Sequence, residues 1–494
     1  MNIKQKPLYK MVAADEEIIF VVEDNANVRG APGTPHYKVK FIAEIYLTIG
    51  GNATSTLPSD KIATLKASPN NAGVGIFDFS RILEAYVSPD YLGGETIFWS
   101  GVQYYSKYNQ SNYSDARPHS IHQIDEFSNS RKGVRNFAIK FSIEFATSQT
   151  GTLSTVAGLT SDAYYIHNAV RQEDDTIAIE STTGNFGYNY DFNNFVIRHS
   201  SAKFLTNSPT TQYIGSADYH TLAFFQESGI YTGANTLYGN KVGSGSATIK
   251  SVDEIKIQFY SGGSTTGSLI TLDNNFLTGG HFANGDQAKN KVVFVGVGTG
   301  NIAGAGNTVP TNWDYYEVYA KDDALQTVSN TYYFYNQCDG MGFEKFRVTW
   351  LNRLGTWDYF NFTKKNVRKV NSKRETYQQL KGTWNETTYK KYGYQGGQKT
   401  FSTNSKEVIT LQSDFVTEEA SAWLEELFTS PDVFVLQERS TDKAAGLVNN
   451  ILNKYVQPCV VKSSSYTKKT TANDKLKQYT LEIEMSHNKR IQRS

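Results

Sequence analysis

Apolar and polar positions alternate along much of the chain. The clearest case is Tyr37–Leu47, where Tyr37, Val39, Phe41, Ala43, Ile45 and Leu47 share one face at a period of two. The same alternation over 136–147 turns Phe137, Ile139, Phe141, Ile143 and Phe145 inward and Lys140, Ser142 and Glu144 outward. A β-branched run at 18–22 and the segments 62–67, 75–79 and 94–108 add strands. Between them Ile82, Leu83, Tyr86 and Val87 have helical spacing, and Ser88-Pro89 stops that short helix. These elements predict an antiparallel sandwich over residues 1–150.

From about residue 150 the chain turns rich in Thr, Ser, Gly and Asn, with apolar islands at 163–169, 192–198 and 222–225. Strands are predicted at 255–260, 291–297, 315–320 and 331–336, giving a middle β domain with long loops over 151–341. The glycine-rich stretch 296–307 reads as a flexible, non-helical loop.

The remainder, 342–494, opens with strands at 343–351 and 354–362 joined through Gly355, followed by a basic run and a Tyr-rich polar stretch. After a strand at 406–412, Thr417 is placed to cap a helix whose first turn carries Glu418 and Glu419 against the positive end of its dipole. Ala420, Trp423, Leu424, Leu427 and Phe428 form the apolar face, and Ser430-Pro431 ends it. Strands at 433–436, 458–462 and 477–485 close the chain. The predicted fold class is mainly β: multi-domain antiparallel β-sandwiches with a C-terminal β-rich domain containing one short helix.

Composition sharpens this picture. The 494 residues include 32 Tyr, 28 Phe and 6 Trp against 20% charged residues, a mixture suited to half-buried pleated surfaces joined by turns. Lys plus Arg is 49 and Asp plus Glu 48, a net charge of +1 that weighs against broad nucleic-acid binding. Two cysteines, Cys338 and Cys459, exclude a Cys-rich zinc module or a disulfide framework and fit a reducing compartment. With no apolar run near the ~18 residues of a membrane span and no leader pattern after Met1, neither membrane insertion nor general export is expected.

Candidate chemistry is sparse. Gly296-Val297-Gly298-Thr299-Gly300 follows a strand as a phosphate cradle would, yet no Lys-Ser/Thr follows it. His119, His122 and Glu126 have a spacing that a helix would gather around a metal, although Arg117-Pro118 favours a solvated connector. Neither cysteine lies in a nucleophile pattern, and the acids Glu173, Asp174 and Asp175 read as a solvated loop. No enzyme activity, metal or cofactor is expected. The run Lys364, Lys365, Arg368, Lys369, Lys373 and Arg374, with Tyr359, Phe360 and Phe362 before it, reads as a loop facing solvent or the acidic patch of a neighbouring subunit; phosphate contact with aromatic stacking is the alternative. Tyrosine clusters at Tyr104, Tyr105, Tyr108 and Tyr113, and at Tyr332, Tyr333 and Tyr335, suit a protein interface, a sugar-stacking surface, or plain cross-strand packing.

In several blocks the chain resembles a known group. FRVTWLNRLGTWDYFNF (346–362), TLQSDFVTEEASAWLEELFTSPDVFVL (410–436), PCVVKSSSYTKK, LKQYTLEIEMSHNKRIQ, FLTNSPTTQYIGSADYHTLAFF (204–225) and GVGIFDFSRILEAYV (73–87) are similar to tail, baseplate and neck structural proteins of tailed bacteriophages infecting Bacteroidetes. The resemblance implies a virion component, assembled in the host cytoplasm, that forms a homo-oligomeric ring through β-domain contacts and touches other tail or neck proteins. It carries over no catalytic residue. A carbohydrate-binding multi-sandwich protein that recognises a host cell-surface glycan through its tyrosines is the alternative.

Overall fold

A computed structural model of the chain describes residues 1–8, 11–47, 60–89, 122, 124, 127–129, 132–170, 177–179, 186–188, 195, 202–226, 252–274, 291–322, 324–337, 342–436, 456–463 and 477–488. The strand expected at 94–108 lies outside them. The described residues are mainly β, in sheets that are antiparallel apart from two parallel pairs, Met11–Ala13 with Tyr164–His167 and Thr211–Ile214 with Tyr332–Asn336. The chain forms two compact units, Met1–Gln337 with Leu351–Asp358, and Cys338–Trp350 with Tyr359–Ser494.

Among the described residues the first unit holds two cores. In one, a sheet ordered Met11–Ala13, Tyr164–His167, Val134–Ala146, Tyr37–Leu47, Asp60–Ala67 faces a three-stranded sheet of Asn2–Gln5, Ile19–Glu23 and Val74–Asp78. Period two explains the register. Ile45 lies opposite Ile139 and Ala43 opposite Phe141, and Phe41, Ile45, Phe137 and Phe141 are fully buried against Phe20 and Phe77. Strand Ser154–Thr160 pairs with Val134–Ala146, so this sheet continues past residue 150. Glu144, on the outer face, is nevertheless buried and pairs with Lys66 at 2.6 Å.

The second core lies between a five-stranded sheet ordered Thr211–Ile214, Tyr332–Asn336, Tyr315–Lys321, Glu254–Ser261, Ser264–Asp273 and a three-stranded one of Thr221–Gln226, Lys291–Gly296 and Phe127–Asn129. Ile257, Phe259, Tyr316, Val318 and Phe334 come from one side, and Leu222, Phe224, Val293 and Val295 from the other. The glycine-rich stretch departs from expectation. Thr299–Gly304 is a short helix, which its six residues are too few to announce through periodicity.

A clasp, Leu351–Asp358, completes the first unit. His167 Nε2 lies 2.7 Å from the Leu354 carbonyl, Val170 N donates to Arg353 O at 2.7 Å, and Asn352 Nδ2 donates to Leu205 O at 3.0 Å. Thr206 Oγ1 donates to Asp358 Oδ1 at 2.6 Å. Gly355 takes φ +76°, and a Cβ there would sit 1.7 Å from Asn168 O. Only glycine fits on both counts.

The second unit is a seven-stranded sheet ordered Trp357–Phe362, Phe346–Leu351, Val433–Leu436, Val456–Val461, Thr480–Met485, Gly397–Gln412, Val367–Gln379. Helix Glu418–Thr429 packs on it through Trp423, Leu424 and Leu427, with Trp350 5.0 Å from Trp423 between ring centroids. Thr417 caps this helix as expected, its Oγ1 accepting from Ala420 N at 3.3 Å.

Candidate functional site

Two surfaces carry the sequence candidates. On the outer face of the five-stranded sheet, alternation that sends Tyr332, Phe334 and Tyr316 into the core leaves Tyr333, Tyr335 and Tyr315 outside. Tyr332 is therefore corrected from a contact residue to a core residue; its ring meets Phe204 at 5.4 Å. Register then aligns four tyrosines from four strands. Tyr213 lies opposite Tyr335, Tyr335 opposite Tyr315, and Tyr315 opposite Tyr260.

The ring geometry limits what this row does. Tyr260 and Tyr315 stack at 4.8 Å and 8°, and Tyr315 and Tyr335 at 5.2 Å and 29°. Inner rings thus spend faces on one another and turn their edges outward, the arrangement of cross-strand packing. Tyr213, at the end of the sheet, is tilted 45° to Tyr335 and 62% exposed. Burial, reinforced by the hydrogen bond its hydroxyl donates to Glu317 at 3.1 Å, pushes the Tyr260 phenol up to about 12. Burial, with Glu317 nearby, raises the Tyr315 phenol as well. Tyr260 and Tyr315 therefore present protonated hydroxyls at neutral pH.

The second surface is an arm. The basic run expected as a loop is instead the strand Val367–Gln379, paired along its length with Gly397–Gln412. Its residues alternate between two solvated faces, so no apolar periodicity marked it as a strand. Thr480–Met485 supports the pair only at Val408–Gln412, and from Glu407 to Gly397 the hairpin runs on for roughly 35 Å with no third strand among the described residues. Every residue from 367 to 404 is exposed or half-buried. Lys365 is exposed, Lys364 pairs with Asp414 at 2.8 Å, and Arg368 is held by Glu344 and Glu407 and lies over the Phe346 ring. The aromatics before the run do not accompany it outward. Tyr359 and Phe362 are buried, and Phe360 packs 6.2 Å from Trp423.

The far end, 380–396, is folded on itself. Trp384 Nε1 donates to Lys381 O at 2.7 Å and its ring meets Tyr389 edge-on at 5.6 Å, while Tyr392 and Tyr394 stack at 5.8 Å. Gly382, at φ +73°, leaves space that a Cβ would take from Tyr389, 2.5 Å away. Trp384 and Tyr394 are each 71% exposed. Sequence reasoning singled out neither, because a Tyr-rich polar stretch gives no sign of where it projects.

The remaining candidates are placed as follows. Gly296, Gly298 and Gly300 pack too closely for side chains, and the amides of Gly298 and Gly300 donate to His220 O and Asp218 O. The protein itself fills the would-be phosphate cradle, which is a packed turn and not a flexible loop. Cys459 is buried, its Sγ 3.5 Å from Val433 O, and burial pushes its thiol up to about 12. His122 is buried with its ring 5.0 Å from Trp357. Tyr104, Tyr105, Tyr108, Tyr113, His119, Glu126, Glu173, Asp174, Asp175 and Cys338 lie outside the described residues. Among the described residues no group of three or more His, Cys, Asp or Glu is placed to hold a metal, and no helix is long and apolar enough to cross a membrane.

No protein-family model matches the chain, and no curated protein matches it in sequence. Among solved structures it aligns with the native conformation of E. coli alpha-2-macroglobulin at 10% identity and a TM-score of 0.17, over 83% of this chain and 21% of that one. The chain thus spans about a fifth of that protein's length, and at such a TM-score the likeness carries no argument.

Proposed function

We propose that this chain is a non-enzymatic structural subunit of a tailed-bacteriophage virion, a tail, baseplate or collar component that assembles into a ring through its β-domains and contacts neighbouring tail or neck proteins. The observation that carries the reading is the arm. A two-stranded hairpin solvated on both faces is marginal by itself, and one that ends in exposed Trp384 and Tyr394 has the form of a contact element awaiting a surface. The near-neutral, aromatic-rich chain and its block resemblance to tail proteins support the same role. Mass measurement across a concentration series, with negative-stain imaging, tests it. Rings or another closed oligomer are expected, whereas a strict monomer at every concentration, alone and with co-expressed tail proteins, refutes the reading.

Recognition of a cell-surface glycan is a second reading, favoured by Tyr213, whose strand ends its sheet and whose ring is the most exposed of the tyrosine row. A glycan array on the wild type and on Tyr213→Ala and Tyr335→Ala tests it. Binding that both substitutions leave intact excludes this surface.

A further inference from the structure

The arm and the helix of the second unit carry opposite charge. Residues 367–405 include eight Lys or Arg, among them Lys373, Lys381, Lys390 and Lys391, against Glu375 and Glu386, a net +6 in a chain whose total is +1. Residues 413–436 include six acids and no Lys or Arg, a net −6. Glu418 and Glu419 stand exposed on the first turn of the helix, next to Phe415, itself 60% exposed. The acidic end of the helix therefore presents both partners the arm needs: carboxylates for its lysines and an apolar ring for Trp384 and Tyr394.

We infer that the arm of one subunit docks on the Phe415–Glu419 face of a second copy of this chain. Every arm residue from 367 to 404 is exposed or half-buried within its own subunit, so the complementary surface is met in another. Donor and acceptor are different surfaces, which makes the contact head-to-tail: each subunit gives an arm and receives one, and the chain of contacts closes into a ring when its rotation does. This deepens the assembly role proposed above and rests on it.

Sedimentation velocity on the full chain tests the contact by charge exchange. Lys390→Glu with Lys391→Glu, or Glu418→Lys with Glu419→Lys, is expected to raise the dissociation constant at least tenfold. Each variant alone stays weak, whereas the arm variant mixed with the helix variant recovers, because every arm then meets a helix of opposite charge, and the chain carrying all four changes recovers to within about threefold of wild type. The weakening grows at low salt and fades near 1 M, where exposed charges are screened. All four residues are exposed, and an unchanged urea midpoint confirms that each variant folds. Oligomers of wild-type affinity in both pair variants overturn the docking while leaving ring assembly standing. A wild type that never associates overturns both. Retention on an anionic polymer that Lys390→Glu and Lys391→Glu abolish, with assembly unaffected, assigns the arm to a polyanion instead.

Discussion

Replacing Gly355 by alanine separates two costs that usually travel together. The residue has φ +76°, and the added Cβ would lie 1.7 Å from Asn168 O. The left-handed backbone alone costs an L-residue about 1–2 kcal/mol. A Cβ needs about 3 Å from that oxygen, so the clasp must also back away by more than 1 Å. That distance breaks the 2.7 Å contacts of Leu354 O with His167 and of Arg353 O with Val170 N. The first leaves a buried polar group unsatisfied at about 1–3 kcal/mol, and the second, between half-exposed Val170 and half-buried Arg353, is an ordinary hydrogen bond of about 0.5–1.5 kcal/mol, for a total of about 2.5–6.5 kcal/mol. Gly262→Ala supplies the control, since Gly262 has φ +58° with nothing within 4 Å of its Cβ position, and only the backbone term of about 1–2 kcal/mol applies. Urea denaturation followed by circular dichroism and tryptophan fluorescence, to which Trp357 in the clasp contributes, compares the two. A Gly355→Ala midpoint no lower than that of Gly262→Ala refutes the reasoning.

Two further outcomes follow from buried titratable groups. Burial drives the His167 imidazole down to about 4, against 6.5 in the unfolded chain, so its stabilisation is fully present above pH 6.5 and is lost as pH falls towards 4. Between pH 7 and pH 5 the wild type should lose about 2 kcal/mol more than His167→Gln in paired denaturation curves, and parallel pH profiles would show that the ring is not held neutral. In a Cys338→Ala background, the Cys459 thiol should resist Ellman's reagent at pH 8 and react within minutes in 6 M guanidinium; rapid native labelling would contradict its burial.

What the sequence disclosed and what it withheld divide along the range of the forces involved. Strands with one buried face, such as Tyr37–Leu47 and Val134–Ala146, wrote their burial into period two, and Thr417 with Glu418 and Glu419 announced a helix start through a local cap. Tyr332 was legible as a core residue on the same ground, because Tyr332 and Phe334 alternate with Tyr333 and Tyr335, but residue type drew more weight than parity. The arm escaped because both its faces meet water, so no periodicity distinguishes it from a loop. The stacking partners in the tyrosine row and the clasp at Gly355 depend on residues such as Asn168 that are far away along the chain. A glycine with positive φ in a hairpin turn does not reveal what its missing side chain makes room for.

The clasp also sets a clock on biosynthesis. The first unit runs continuously to Gln337, yet the residues that donate to Leu205 O and meet His167 arrive only with Leu351–Asp358. At about 5–20 residues per second, the 21 residues from Gln337 to Asp358 take a ribosome roughly 1 to 4 s to add. During that interval the nascent unit must wait with its last seam open, and it can close only after the first strand of the other unit has left the exit tunnel.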